Sequence, residues 1–130
     1  MIKNLKILLV EDDIINQKVA TSILNRQNHT VEIAENGLIG LEKYIENDYD
    51  LILMDIQMPV MNGIEATEKI REHEALTGKK ITIIAVTAYS LEKDRIRIME
   101  AGMDNYLSKP YKPCDLLKII QDTLETKNKL

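Results

Sequence analysis

The chain has 130 residues, with 17 lysines and arginines against 21 aspartates and glutamates, so its formal net charge is -4. This length suits one domain spanning residues 1–130 with a single core, and the acidic balance argues against a dedicated nucleic-acid surface, which is usually basic. Cys114 has no partner for an internal disulfide, which suits a reducing compartment such as the cytoplasm. Because no apolar run approaches the ~20 residues of a membrane span, we expect neither a signal peptide nor a transmembrane helix.

Short apolar runs alternate with longer amphipathic stretches, a pattern typical of repeated βα units around a parallel sheet. Five strands are predicted, at residues 6–10, 30–34, 50–54, 81–86 and 105–109. Three are almost entirely apolar, as strands buried on both faces are. The second strand alternates in polarity, which places it at an edge. Right-handed crossovers with helices on both faces then predict an α/β three-layer sandwich.

Helices are predicted in the intervals, because apolar residues recur there at helical spacing and form stripes that face the sheet. The predicted stripes are Val19, Ile23 and Leu24; Leu38, Leu41 and Ile45; Leu91, Ile98 and Met99; and Leu116, Leu117, Ile120 and Leu124. Asn36, Asn62 and Ser90 suit helix starts, and Pro113 suits a first helical position. Residues 125–130 have the composition of a fraying helix end.

Four of the five predicted strands run into polar residues with a chemical use. These residues are Glu11, Asp12 and Asp13 after the first strand, Asp55 after the third, Thr87 after the fourth and Lys109 at the end of the fifth. The carboxyl ends of parallel strands meet at one edge of a sheet, where ligands of open α/β folds bind. We therefore expect these side chains to share one site.

The chemistry of this edge suits phosphoryl transfer. Carboxylates crowded at Glu11, Asp12 and Asp55 are unfavourable unless a cation binds or one carboxyl is protonated, and Mg²⁺ prefers such oxygen ligands. Asp55 is a candidate nucleophile, since aspartates form acyl phosphates. Lys109 would then neutralise the transferred group, and Thr87 would donate a hydrogen bond to it.

Each of these residues also has an ordinary structural explanation. Asp13 is a candidate N-cap for the first helix, and Thr87 taken alone is a strand end. Asp55 precedes a proline-containing loop and would suit a turn. Lys109-Pro110 would suit a chain turn, with a cis peptide bond as one option. The joint placement of all of them at strand ends is what favours a common site.

In this order and at these spacings, the residues resemble the receiver domain of two-component response regulators over almost the whole chain. The most specific segment is Met54-Asp55-Ile56-Gln57-Met58-Pro59-Val60-Met61-Asn62-Gly63, supported by Glu11-Asp12, Val86-Thr87-Ala88 and Tyr106-Leu107-Ser108-Lys109-Pro110. The resemblance implies a flavodoxin-like sheet in strand order 2-1-3-4-5. It also implies that Asp55 accepts phosphate from the phosphohistidine of a histidine kinase or histidine phosphotransfer protein.

The metal site implied by the resemblance uses Asp12 and Asp55 as direct carboxylate ligands of Mg²⁺. The backbone carbonyl of Gln57 is a third ligand, and Glu11 acts through water. A slip of one residue in register would promote Asp13 into the acidic pair.

The resemblance further implies that Thr87 and Lys109 hold phosphoryl oxygens, and that Thr87 and Tyr106 form a switch. This switch changes the surface of helix 4, strand 5 and helix 5, which is also a candidate homodimer face. A half-buried strand tyrosine is the plain alternative for Tyr106. Gln57 and Tyr89 flank the route of an attacking water, and we hypothesise that Tyr89 shields the acyl phosphate; an exposed loop aromatic is the alternative.

Glu11-Asp12 followed by Asn16-Gln17 and Val19, together with the run from Met54 to Gly63, is similar to receiver domains of hybrid sensor histidine kinases and other phosphorelay proteins, although Asp13 stands where that group usually has asparagine. The resemblance implies that the domain either switches its surface or relays phosphate onward to a histidine phosphotransfer protein. Other classes fit less well. Haloacid-dehalogenase-like phosphatases need a second aspartate where this chain has Gln57, and dinucleotide-binding domains need a glycine-rich turn after the first strand. A receiver-like module without phosphate chemistry would not need this set of site residues, and a DNA-binding regulator would need an added effector domain.

Overall fold

The computed structural model describes residues 4–88 and 92–128, which form alternating strands and helices. The strands are β1 (Lys6–Val10), β2 (Thr30–Ala34), β3 (Leu51–Met54), β4 (Thr82–Thr87) and β5 (Asn105–Ser108). The helices are α1 (Ile14–Asn25), α2 (Gly37–Glu46), α3 (Gly63–Thr77), α4 (Glu92–Ala101) and α5 (Pro113–Asn128). None of the helices within the described residues has the length and apolar character needed to cross a membrane. Tyr89, Ser90 and Leu91, to which the sequence assigns a shield, a cap and a buried position, lie outside the described residues.

All strand pairs in the sheet are parallel, and the strand order is β2-β1-β3-β4-β5. The predicted order and the edge position of β2 are therefore confirmed. The register places Val10 opposite Met54, Met54 opposite Ala85 and Ala85 opposite Tyr106. Since these four residues form one row across the sheet, the residues that follow them emerge along the same edge.

The two faces of the sheet carry separate apolar cores, as a three-layer sandwich requires. Side chains alternate between faces along a strand, so Leu8 and Ile52 enter one core while Ile7 and Leu51 enter the other. The first core packs against α2, α3 and α4 through residues such as Ile70. The second core packs against α1 and α5.

The prediction of which apolar side chains face the sheet is partly wrong for α1, α2 and α4. Ile23, Leu24, Ile98, Leu116 and Ile120 are buried as expected. The apolar side chains that are exposed instead, by between 38% and 49%, are Val19, Leu38, Ile45 and Met99.

Small residues explain the rotation of α1 and α2. Ala20 is buried on α1, and Gly40 lies so close to β1 that a Cβ there would come within 2.9 Å of the Val10 side chain. These two helices approach the sheet through their smallest residues, so the neighbouring large side chains turn outward.

The helix starts follow the sequence. Asp13, Asn36 and Asn62 are N-caps with extended backbones, and their side-chain oxygens accept backbone N–H groups of the first turn. Pro113 is the first residue of α5, and the Lys109-Pro110 peptide bond is cis. The strand limits differ from the predicted ones by a single residue at the starts of β3 and β4 and at the ends of β4 and β5.

Candidate functional site

The polar residues predicted at the strand ends lie at one edge of the sheet. The Asp55 N–H donates to Val10 O at 2.9 Å, which fixes the residue after β3 to the end of β1. The Lys109 N–H donates to Thr87 O at 2.8 Å, which fixes the residue after β5 to the end of β4. The ends of these strands are thus tied together by backbone hydrogen bonds, and their side chains project into a common crevice.

Three carboxylates converge in this crevice. One oxygen atom from each of Glu11, Asp12 and Asp55 lies within 4.8 Å of the others. Glu11 and Asp55 are buried, with 4% and 8% of their surface exposed, whereas Asp12 is exposed. Within the described residues this is a donor set made only of hard oxygen ligands, which suits Mg²⁺ better than a softer metal ion.

Burial and crowding shift the titration of these acids. Burial, with a further contribution from the Glu11 charge, raises the pKa of Asp55 to about 7, although the Lys109 ammonium opposes the shift. The pKa of Asp12 is also raised, first by burial and then by its neighbour Glu11. Ionised carboxylates are therefore unfavourable in this crevice, and a bound cation would offset the repulsion between them.

Lys109 supplies the positive charge that the chain itself brings to the site. Its Nζ donates to Glu11 Oε1 at 2.6 Å and lies 3.7 Å from Asp55 Oδ2. The lysine side chain is 18% exposed, so the pair is largely shielded from water. One ammonium group thus stands between two buried carboxylates and within reach of both.

Asp13 lies outside this group, although it belongs to the same acidic run. Its Oδ1 accepts the N–H groups of Ile15 and Asn16 at 2.7 and 3.2 Å and so caps α1. Its own N–H donates to Glu11 Oε2 at 3.2 Å. The structure therefore brings Glu11 and Asp12, rather than a pair shifted by one residue, to Asp55.

The loop after β3 is closed tightly around Asp55. Asp55 Oδ1 accepts the N–H of Ile56 at 2.8 Å, and the Gly63 N–H donates to Ile56 O at 2.9 Å. A Cβ at Gly63 would overlap the carbonyl oxygen of Asp55, so only glycine fits there. Gln57 lies in the same loop with an exposed side chain, two residues beyond Asp55.

Thr87 and Tyr106 occupy neighbouring strands. Thr87 is the last residue of β4 and is 1% exposed, and it borders a cavity of about 240 Å³ together with Gln57. Tyr106 is half-buried against the core, and its ring centroid lies 5.8 Å from Arg95 Cζ on α4. The plain prediction of a half-buried strand tyrosine fits this placement.

Two contacts at the site were not predicted from the sequence. The side-chain amide of Gln17 donates to Glu11 O at 2.7 Å and ties α1 to the acidic run. Tyr111 follows the cis peptide bond, and burial together with the Glu11 charge raises its pKa. Nearness to Lys109 in the sequence is the only signal for Tyr111, whereas Gln17 lies six residues from Glu11, within the segment that resembles hybrid kinases.

The response regulator receiver domain is the family whose model matches this chain, over residues 7–121. The hybrid signal transduction histidine kinase I of Dictyostelium discoideum is 42% identical to the chain over 120 residues. The match covers 88% of this chain but only 7% of that kinase, so the chain is similar to one small segment of a much longer protein.

Two solved structures are similar to the chain in both fold and sequence. The receiver domain of a sensor histidine kinase from Pseudomonas aeruginosa, with a magnesium ion coordinated in its active site cleft, has a TM-score of 0.85 and 38% identity, and the match covers 94% of this chain and 98% of that one. The receiver domain of Ssk1 from Saccharomyces cerevisiae, solved with the histidine phosphotransfer protein Ypd1, has a TM-score of 0.86 and 32% identity, covering 92% and 88%. The chain belongs to the response regulator receiver domain family and is a receiver domain of two-component signal transduction.

Proposed function

We propose that residues 1–130 form one receiver domain in which Asp55 accepts the phosphoryl group. One observation carries this proposal: the Asp55 carboxylate is buried beside two other acids, and the ammonium of Lys109 stands 3.7 Å away. A carboxylate used only in a turn would not need a buried cation and further acids around it. The arrangement instead provides a nucleophile with charged groups on two sides of the incoming phosphorus.

The acidic cluster fits Mg²⁺, with Asp12 and Asp55 as direct ligands, the Gln57 backbone carbonyl as a third and Glu11 through water. The oxygen-only donor set and the raised pKa values of Asp12 and Asp55 support this assignment. When bound, Mg²⁺ neutralises charge on the carboxylates and on the phosphoryl oxygens. The magnesium-containing receiver domain of the Pseudomonas aeruginosa kinase supports it as well.

The chain's own residues divide the chemistry of transfer. An Asp55 oxygen attacks phosphorus while the bond from phosphorus to the donor histidine breaks, and that electron pair returns to the imidazole ring. Lys109 then holds a phosphoryl oxygen, and the Thr87 hydroxyl donates a hydrogen bond to another. The chain acts here in its own phosphorylation and not as a turnover enzyme on a separate substrate.

Thr87 and Tyr106 are proposed to convert phosphorylation into a change of surface. Thr87 lies at the end of β4 next to the site, and Tyr106 lies on the adjoining strand, in contact with α4 through Arg95. A shift of the Thr87 hydroxyl toward the phosphoryl group would open space that the Tyr106 ring can enter. The affected surface is formed by α4, β5 and α5, and its exposed Ile96 and Met99 make it a candidate for a homodimer.

The proposed donor is a histidine kinase or a histidine phosphotransfer protein, and the surface around Asp55 supports this. Ile14, Ile15 and Val19 on α1 and Val60 in the loop after Asp55 are between 47% and 75% exposed. This apolar rim would pack against a partner helix that carries the phosphohistidine. The Ssk1 receiver domain, which is similar to this chain, is bound to the phosphotransfer protein Ypd1.

Similarity to a segment of a hybrid kinase favours a parent protein of that kind, working in the cytoplasm, with no direct contact to nucleic acid or membrane by this domain. The net charge of -4 and the single cysteine support these parts of the proposal.

The acceptance of phosphate is tested by intact-mass measurement after treatment with phosphoramidate and Mg²⁺. We expect one phosphoryl group on the parent chain and none on Asp55→Asn or after removal of Mg²⁺ by chelation. An equal mass gain in the parent and in Asp55→Asn would refute the assignment of Asp55.

A further inference from the structure

A partly buried ionic cluster centred on Arg71 of α3 lies at the end of the sheet opposite Asp55. Three of its donor nitrogens are used: Nε donates to Gly102 O at 2.9 Å, Nη1 to Glu74 Oε1 at 2.6 Å, and Nη2 to Asp104 Oδ2 at 3.1 Å. Nη1 also donates to a backbone carbonyl just before β4. One guanidinium thus ties α3 to the turn between α4 and β5.

The two acids of this cluster are themselves fixed by backbone N–H groups of β4 or of the residue just before it. Glu74 Oε2 accepts the N–H of Ile81 at 2.6 Å and the Tyr44 hydroxyl at 2.7 Å. Asp104 Oδ2 accepts the N–H of Ile83 at 2.8 Å. Glu74 is 4% exposed, and every charge of the cluster has a partner of opposite sign. Arg71 therefore holds the turn through Asp104, which is itself bonded to β4, while Glu74 fixes the Arg71 guanidinium from within α3.

The turn itself is shaped to fit against Arg71. Gly102 has a φ of 106°, and a Cβ there would come within 2.9 Å of Arg71 Cγ. The backbone of the turn therefore lies directly on the arginine stem, in a conformation that favours glycine. Both the stem and the head of Arg71 position the same few residues.

Among the described side chains of α4, the buried ones lie toward its C-terminal end. Ile98 and Ala101, toward its C-terminal end, are buried, whereas Arg95, Ile96 and Arg97 are exposed. The cavity of about 240 Å³ that borders Thr87 is lined by Asp94, Arg97 and Ile98 of this helix. The cavity thus leaves space beside the half of α4 nearest Thr87, while Arg71 fastens the turn that follows the far end of the helix.

We propose that Arg71 is a positioning residue that makes the turn around Gly102 the fixed pivot of α4. A displacement at Thr87 then swings residues 94–97 over the cavity and reaches Tyr106 through Arg95, while the turn stays in place. This inference rests on the proposed function of Asp55 and Thr87 for the source of the displacement. The pivot itself rests on the contacts of Arg71.

Amide signals from nuclear magnetic resonance test the pivot, recorded with and without beryllofluoride and Mg²⁺ as a stand-in for the phosphoryl group. In the parent chain we expect shifts at residues 94–97 and Tyr106 but little change at Gly102 and Met103. In Arg71→Met the shift at Tyr106 falls below half its parent value. In Arg71→Lys, which keeps the positive charge but loses the forked guanidinium, the shift at Tyr106 is restored in part.

Hydrogen exchange provides a second measurement that needs no phosphoryl analogue. The Met103 and Asp104 amides, which donate to Ile98 O and Ile83 O, should exchange about tenfold faster in Arg71→Met. The matched control is Lys79→Met, which removes an ion pair just after the same helix, where Lys79 is 66% exposed. This control should behave like the parent chain in both measurements.

An undiminished Tyr106 shift in Arg71→Met would overturn the pivot, and so would shifts at Gly102 as large as those at residues 94–97 in the parent. If Arg71→Met does not fold, Arg71→Lys and Asp104→Asn decide the question with the same readouts. Intact mass after phosphoramidate treatment is recorded on the same samples. Absence of phosphorylation would count against the function of Asp55, and the exchange rates would then decide the pivot alone.

Discussion

Lys109 is hydrogen-bonded to Glu11, with Nζ 2.6 Å from Oε1. The same ammonium remains 3.7 Å from the Asp55 carboxylate, whose pKa is raised to about 7 by burial and by the Glu11 charge. The lysine thus stabilises the neighbouring acid while it stays beside the proposed phosphoacceptor. A phosphoryl group on Asp55 would place new anionic oxygens near this ammonium, so the Lys109–Glu11 bond would compete with a bond from Lys109 to phosphate.

Replacement of Lys109 tests this arrangement. Lys109→Met leaves the carboxylate of Glu11 buried without its cation, so we expect a loss of about 2 kcal/mol in the free energy of unfolding without Mg²⁺. Phosphorylation by phosphoramidate should slow by about tenfold or more, because no ammonium meets the phosphoryl oxygens. The control Lys79→Met breaks an exposed pair and should lower the free energy of unfolding far less than Lys109→Met does. Urea denaturation and intact-mass time courses measure both effects, and equal losses in the two variants would contradict this account.

Stabilisation by Mg²⁺ distinguishes the proposed metal ligand Asp12 from the helix cap Asp13. Mg²⁺ at ten times its dissociation constant should stabilise the parent chain by about 1.4 kcal/mol. Asp12→Asn removes a proposed ligand and should abolish this gain. Asp13→Asn should keep it, because asparagine caps a helix as well as aspartate does. Calorimetric melting with and without Mg²⁺ measures the gain, and the reverse result would show that Asp13 belongs to the acidic pair.

Gly63 is expected to tolerate no side chain, because a Cβ would overlap the Asp55 carbonyl oxygen. Gly63→Ala should cost about 2–3 kcal/mol and slow phosphorylation, since the loop that holds Asp55 must shift. Gly78→Ala is the matched control: Gly78 has a φ of 78° and open space around it, so the cost should be about 1 kcal/mol with no effect on phosphorylation. Stability and rate are measured as for Lys109→Met, and a parent-like rate in Gly63→Ala would contradict the role of the loop.

His29 should make the fold less stable in mild acid. Burial lowers the pKa of His29, and its Nδ1 accepts the Leu5 N–H at 3.1 Å. As pH falls through the ordinary histidine pKa of about 6.5, the unfolded chain takes up a proton that the folded chain does not, so the free energy of unfolding decreases. Between about pH 7.5 and pH 5.5, the free energy of unfolding of the parent, measured by urea denaturation, should therefore fall relative to that of His29→Asn. Other groups titrate alike in both proteins, and equal slopes would contradict the prediction.

The strands and the site were predictable because their signals are local. An apolar run that stops at Val10 or Met54 marks both a buried strand and the acid that follows it, and parallel packing then brings the acids together. Small residues set the helix faces, so Val19 turned outward where Ala20 packs against the sheet. That outcome depends on how closely a helix approaches its neighbour, which periodicity does not report.

The Arg71 cluster had no such signal. Arg71 lies 31 residues from Gly102 and 33 from Asp104, and nothing in the local pattern links an arginine on α3 to a turn on the far side of β4. Only the packing of α3 beside α4 brings them together. Its role therefore had to be read from the structure.

The most direct test of the central claim is to locate the phosphoryl group on the chain. Treatment with phosphoramidate and Mg²⁺, followed by borohydride, reduces an aspartyl phosphate to homoserine, and fragment masses then identify the altered residue. We predict homoserine at position 55 alone, and none in Asp55→Asn. Conversion at Asp12 or Asp13, or phosphorylation without any reducible acyl phosphate, would contradict the assignment of Asp55 as the phosphoacceptor.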